Sequence, residues 1–354
     1  MPGHRIENWH QVPQKVRDAF NRKKQDELDH FELYGFHRPP LIVGTPGDRI
    51  IALGSTLLHW KGKGSFVNFL EECLLFHLGD ALEQYEIHPL RVWLDEARRQ
   101  GRERKKENPK SGLLSTVAVL NFFTVAYDLY VVSDNAQLRD RLIQSLKIPD
   151  QFHGARYELM VAACLLRAGF IVEFSDETDL STAHPDAFVR HIRTGVEYDV
   201  EMKAKGRNGI LGKPGIAIEP EMMSADVSRL VRKALLKPAV RTRLIFIDMN
   251  LPLKSDIRGL HSVWWAEEAI KSLKVVRKSP GKVSSDTEAF VIFTNFPSNF
   301  IPFDQAYEGV EIVYCGFNKT DFDLDKRVLG ERSPEIANLF DAFRKHSVFP
   351  DEVS

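Results

Sequence analysis

V-E-Y-D-V-E-M-K-A-K, Val196–Lys205, is the stretch whose pattern decides the fold. Side chains along a strand alternate between two faces. Val196, Tyr198, Val200, Met202 and Ala204 form one face, wholly apolar. Glu197, Asp199, Glu201, Lys203 and Lys205 form the other, wholly charged. The apolar face requires a core to pack on. The charged face admits two readings, a solvated surface or a cluster with chemical work to do. On it, Glu201 and Lys203 set a carboxylate beside an ammonium.

Working outward, Thr194-Gly195 reads as a turn, and Asp186–Arg193 before it as a strand, so the two strands make a hairpin. Upstream lie a loop (175–184), a strand over Phe170–Phe174 and a helix over Gly154–Ala168 stopped by Gly169. Downstream come a Gly- and Pro-containing loop (206–220), a helix over Met222–Leu236, a strand over Arg243–Met249 and a helix over Val263–Val276. Strands over Ala289–Phe293 and Val310–Cys315 and a final helix, Pro334–His346, complete the chain. Helices interleaved with strands predict an α/β domain with a mixed sheet over 151–354. Residues 1–150 read as a mainly helical domain, with helices near Pro13–Glu27, Phe66–Gln84, Pro89–Arg104, Leu113–Val132 and Leu138–Leu146. One hairpin is expected over Pro40–Trp60, turning at Thr45-Pro46-Gly47-Asp48.

The 354 residues carry 48 Lys and Arg against 49 Asp and Glu, so the net charge of −1 excludes a general basic coat but leaves local basic faces open. Three such segments stand out: 98–110, 226–243, and Lys271, Lys274, Arg277, Lys278 and Lys282. The three cysteines, Cys73, Cys164 and Cys315, each lie in an apolar run and form no C-x-x-C pair, which predicts reduced core residues in a cytoplasmic protein. The N-terminus has no apolar signal region. The charge-free stretch Ser111–Tyr127 holds Ser115, Thr116, Asn121 and Thr124 and reads as a buried helix rather than a membrane span.

Three places between 154 and 205 invite a chemical reading. Glu158 opens a helix that is apolar for eight consecutive residues, Leu159–Leu166. A carboxylate there is costly unless it pairs with Arg156 or another surface charge, or binds a cation. His184-Pro185-Asp186 leads into the first hairpin strand, and Glu201-Met202-Lys203 lies on the second, so the hairpin brings Glu201 back to near Asp186. This ordered set, Tyr157-Glu158, Pro185-Asp186 and Glu201-Met202-Lys203, resembles the PD-(D/E)XK nuclease superfamily with its restriction-endonuclease-like core. The resemblance covers about 150 residues, roughly 150–300, and leaves the N-terminal half unaccounted for.

The resemblance implies a Mg²⁺- or Mn²⁺-dependent phosphodiesterase acting on DNA, in restriction, repair or defence against foreign DNA. Asp186 and Glu201 are then the main metal ligands, with Glu158 direct or through water and the Met202 carbonyl as a further oxygen. Asp199, on the same strand face, competes for that role. Lys203 would stabilise the charge on the phosphate or orient the attacking water. Lys205 is either a phosphate contact or solvated. Arg229 and Lys233, four apart on the following helix, are the preferred contacts to a nucleic-acid backbone. A homodimer or a partner subunit docking on residues 1–150 fits this class. The other reading is a nuclease-like fold that binds or assembles without cutting. His153, His184 and His191 lack zinc-ligand spacing. Trp264-Trp265 reads as core packing before base stacking. Gly62-Lys63-Gly64-Ser65 lacks phosphate-loop spacing and reads as a helix start capped by Ser65.

Overall fold

The computed structural model describes residues 4–6, 8–34, 42–45, 48–53, 56–60, 66–107, 115–135, 140–175, 184–254, 263–278, 287–306, 309–318 and 331–346. In chain order come β1 (His4–Arg5), α1 (Gln14–Tyr34), β2 (Ile42–Thr45), β3 (Asp48–Leu53) and β4 (Thr56–Trp60). Next are α2 (Phe66–Gln84), α3 (Pro89–Glu107), α4 (Val117–Asn135), α5 (Asp140–Lys147) and α6 (Pro149–Arg167). Then follow β5 (Phe170–Phe174), β6 (Ala187–His191), β7 (Glu197–Ala204), α7 (Glu219–Met222), α8 (Ser228–Leu235) and β8 (Arg243–Asp248). The chain ends with α9 (Ala266–Arg277), β9 (Ala289–Asn295), β10 (Glu311–Phe317) and α10 (Pro334–Arg344). The expected Gly62-Lys63-Gly64-Ser65 feature lies outside the described residues.

The expected hairpin over Pro40–Trp60 is part of a larger antiparallel sheet, ordered β1-β4-β3-β2. Its second arm, read as one strand, is two, because Leu53 pairs with Thr56 across the Gly54-Ser55 pair. The expected helix Met222–Leu236 begins only at Ser228, as α8, and Met222 is the last residue of the short α7. Between α7 and α8 the chain dips so that Ala225 and Val227 are buried, and Asp226 accepts from the Ser228 amide at 2.9 Å. The helix expected from Gly154 begins at Pro149, whose missing N–H costs nothing in a first turn.

The second sheet is mixed, with six strands ordered β10-β9-β8-β7-β6-β5. β5, β6 and β7 form an antiparallel meander, β7, β8 and β9 run parallel, and β10 returns antiparallel. Both faces are covered. Tyr198, Val200, Met202, Leu244, Phe246 and Ile292 share an apolar cluster with α4, α6 and α10, while Ile245, Ile247, Val291 and Phe293 pack with α8 and α9. Two-sided burial is why β8 and β9 read as continuous apolar runs rather than alternating ones.

Helix α6 is the hub of the first cluster, which also takes in α2, α3 and α5. From Leu159 to Leu166 every residue is buried, as the apolar run requires. Each large side chain so covered contributes roughly 1.5–3 kcal/mol. Polar ties then fix its register. His153 Nε2 sits 2.7 Å from Asp248 Oδ2 at the end of β8, and the Tyr157 hydroxyl is 2.8 Å from Thr294 Oγ1 on β9. The Arg156 guanidinium donates to Asn121 Oδ1 at 3.0 Å and Asn299 Oδ1 at 3.1 Å, and lies over the Trp93 ring.

The charge-free stretch ending at Tyr127 is buried in α4 from Val117 onward, as expected. Among the described residues no helix is long and apolar enough to cross a membrane. Cys73, Cys164 and Cys315 are buried and in no disulfide, and burial pushes the Cys73 and Cys164 thiols up. Trp265 is fully buried and donates to Glu311 Oε2 at 2.8 Å, a core role.

The loop after β7 returns to the start of α6 at Gly212, where φ is +81° and a Cβ would collide with the Pro149 carbonyl. Gly212→Ala should lower the unfolding free energy by about 1–3 kcal/mol. The check is a reduced urea midpoint at unchanged slope. An unchanged midpoint would show that this loop does not depend on its close approach to α6.

Candidate active site

The site begins with the register of the meander. Ala187 pairs with Val200, and the Asp186 amide donates to the Val200 carbonyl at 2.9 Å. One step further, Asp186 stands across from Glu201 on the same side of the sheet. The Asp186 carboxylate then turns toward β7, where Oδ2 accepts from the Met202 amide and from Lys203 Nζ, both at 2.7 Å.

Two lysines hold the two carboxylates. Lys203 Nζ lies 2.8 Å from Glu201 Oε2, and also donates to the Met202 carbonyl at 3.1 Å. The second, Lys237, is a residue that strand and helix patterns did not single out. Its Nζ lies 2.6 Å from Asp186 Oδ1 and 3.0 Å from Glu201 Oε2. Lys237 follows α8, inside the basic segment 226–243, and the neighbouring Pro238 prevents the helix from continuing. Those were the available signals; nothing local shows where its side chain goes.

Glu201 is 1% exposed, and neither of its oxygens receives a directed hydrogen bond among the described residues. The Lys203 and Lys237 ammonium groups face Oε2, and Oε1 has no partner among the described residues. Burial, reinforced by Asp186, pushes the Glu201 carboxyl up to about 7 against the pull of Lys203 and Lys237. Burial also works to raise Asp186, but Lys203 and Lys237 outweigh it and hold that carboxyl below its ordinary range. For Lys203, burial pulls the ammonium down, and Asp186 and Glu201 more than offset it.

Glu158 reaches the same place from the helix on the opposite face. With Asp186, Met202, Arg141, Ser145 and Gln151 it lines a cavity of about 170 Å³, room for several waters. The pairing with Arg156 that its position suggests does not form, because Arg156 is taken by Asn121 and Asn299. Among the described residues the Glu158 carboxylate has no hydrogen bond or ion pair. Burial first, then Asp186, raise its carboxyl to about 7, opposed by Lys203, Arg141 and Lys237. Arg141 carries no motif and could not be picked from the sequence.

Two expected candidates go elsewhere. Asp199, the competitor for Glu201, accepts the Val240 and Arg241 amides at 2.8 and 3.0 Å and pairs with the Arg241 guanidinium at 3.3 Å. It clamps the start of β8 and does not reach the cavity. Lys205, an expected phosphate contact, donates to the carbonyls of Ser224 and Asp226 at 2.6 and 2.7 Å, and burial pulls it down to about 8. With Arg207, which donates to Glu221, Ser224, Met249 and Asn250 carbonyls, it anchors the loop before α8. Arg229 and Lys233 are exposed on one face of α8.

Comparison of the chain with protein-family models, curated proteins and solved structures yields no match.

A carboxyl raised by folding binds its proton more tightly folded than unfolded. Its contribution to stability is full below the ordinary value of 4.5 and is lost as pH rises through about 7. In chelator, Glu158→Gln should therefore gain on the wild type between about pH 5 and about pH 8, by on the order of 1–3 kcal/mol. Urea unfolding at a series of pH values measures this. A constant difference across that range would mean that Glu158 titrates normally.

Proposed function

We propose that this chain is a metal-dependent nuclease of the restriction-endonuclease-like class, hydrolysing phosphodiester bonds of DNA. The observation that carries the reading is that Asp186, which lines one cavity with Glu158, is joined through Lys203 to Glu201. The order of elements supports it as well: a helix bearing Glu158, an antiparallel meander bearing the others, then a helix and parallel strands.

The donor set suits a hard divalent cation. Mg²⁺ takes oxygen ligands in octahedral geometry. Glu201 Oε1 is a buried oxygen without a partner, and Glu158 is a second carboxylate without one. Both are pushed upward by neighbouring negative charge as well as by burial, which a cation would relieve. No three His, Cys, Asp or Glu side chains among the described residues form a metal cluster, and Lys203 and Lys237 stand against the Asp186 and Glu201 carboxylates. Asp186, Glu201 and Glu158, with the Met202 carbonyl, would hold Mg²⁺ or Mn²⁺ once a lysine yields. The ion supplies charge neutralisation and an acidified water.

The protein's own groups do the rest. Lys203, on rigid β7, presents an ammonium beside the carboxylates where a phosphate oxygen would develop charge. Arg229 and Lys233 offer exposed positive charge on α8 for the phosphate backbone. A second reading has one observation in its favour. Lys203 and Lys237 balance Asp186 and Glu201 without any metal, so the fold could serve as a binding or assembly module that does not cut. Calorimetry with Mn²⁺ separates the two: salt-sensitive DNA binding without metal heat supports the module.

With Mg²⁺ or Mn²⁺, the wild type should nick or cut DNA, and Asp186→Ala or Lys203→Ala should each reduce the rate at least about 10²–10³-fold. Equal cleavage by the variants would remove these residues from the mechanism. The double change Arg229→Ala with Lys233→Ala should weaken DNA binding uniformly across sequences. The slope of log affinity against log salt should become shallower by about 1.8. An unchanged slope would place the DNA on another face.

A further inference from the structure

We infer that Lys237 is a positioning residue that occupies the cation's place between Asp186 and Glu201, and must leave it for a divalent ion to bind. The inference rests on the metal-site reading above and names the group that guards that site.

Its geometry is that of a bridge. One ammonium touches both carboxylates, at 2.6 and 3.0 Å, so it sits where a shared cation would sit. Asp186, Glu201, Lys203 and Lys237, when all are ionised, sum to zero charge without a metal. A divalent ion added to that set would meet two ammonium groups at contact distance, so one of them has to move.

Lys237 is the one that can. Lys203 projects from a central strand, makes a third contact to the Met202 carbonyl, and its side chain is 13% exposed. Among the described residues the Lys237 ammonium has only its two carboxylate contacts, its side chain is 21% exposed, and it stands beyond the end of α8. Its backbone is fixed independently, since the buried Arg243 guanidinium donates to the Lys237 carbonyl at 2.6 Å. The four-carbon side chain can swing to solvent without disturbing β8 or α8. Arg229 and Lys233 are exposed on α8, the helix that precedes it. The same ammonium is thus a placeholder without metal and a neutralising charge for phosphate once metal is bound.

The test is calorimetric titration of MnCl₂ into wild type, Lys237→Met, Lys237→Arg and Asp186→Ala. Lys237→Met should bind Mn²⁺ at least about tenfold more tightly than wild type, because a competing charge is gone. Lys237→Arg, which keeps the charge, should not gain. A lysine serving only to hold the fold would give the opposite sign, weaker binding in Lys237→Met. Unchanged or weaker binding in that variant, with wild type binding and Asp186→Ala silent, overturns the inference and leaves the metal site standing. No Mn²⁺ heat in wild type or Lys237→Met overturns both. Acetylation footprinting of the wild type covers the case in which Lys237→Met does not fold. Lys237 should become more reactive on adding Mn²⁺, while Lys203 stays protected, and an Mn²⁺-independent footprint at Lys237 overturns the inference.

Discussion

Burying the charged face of β7 is the constraint around which the rest of the structure is arranged. A strand with helices on both sides of its sheet cannot leave Glu201 in water, and at 1% exposure the carboxylate has lost nearly all its hydration. Such a group survives only among opposite charges held in good geometry. The β6–β7 register brings Asp186 across from it, Lys203 arrives two residues along the same strand, and Lys237 comes from the far side of α8. Each of these placements needs a different part of the fold to be in position.

Helix α6 supplies the complementary constraint from the other face. Its apolar surface binds the N-terminal helices and the sheet into one cluster, and its polar residues reach the ends of β8 and β9. Arg156 and Tyr157, the two residues before Glu158, are engaged with other elements, while Glu158 lines the cavity without a hydrogen bond or ion pair among the described residues. Stability and reactivity are thereby divided along one helix. The neighbours are satisfied, and the one carboxylate that is not satisfied faces the site.

Much of the site was legible because it is built from short-range relations. A period of two set Glu201 and Lys203 on one face, and the hairpin expected around Thr194-Gly195 returned that strand to Asp186, although its connection spans 192–195 and so sets Asp186 across from Glu201. Glu158 stood out as a charge at the head of an apolar helix. Lys237 was not legible as a member, since its place depends on the path of the chain through the α7–α8 break, where the pattern predicted one continuous helix. Asp199 and Lys205 were misplaced for a related reason. They share the face of Glu201 and Lys203, and the alternation cannot separate neighbours along a strand. Asp199 lies where the Val240 and Arg241 amides pass, and Lys205 where the Ser224 and Asp226 carbonyls gather.

The sequence by itself determined the two-faced strand, the buried helix before it, the hairpin between Asp186 and Glu201, and the mixed α/β character of the C-terminal half. These follow from side-chain periodicity and turn chemistry, which act over a few residues. Only the tertiary structure decided that the N-terminal helices share the core of the sheet, that Glu158 is left without Arg156, and that a second lysine bridges the carboxylates. Those outcomes depend on which groups meet after distant segments pack. A charge buried in a core is stabilised by whatever lies within a few ångströms of it, however far apart the two are along the chain.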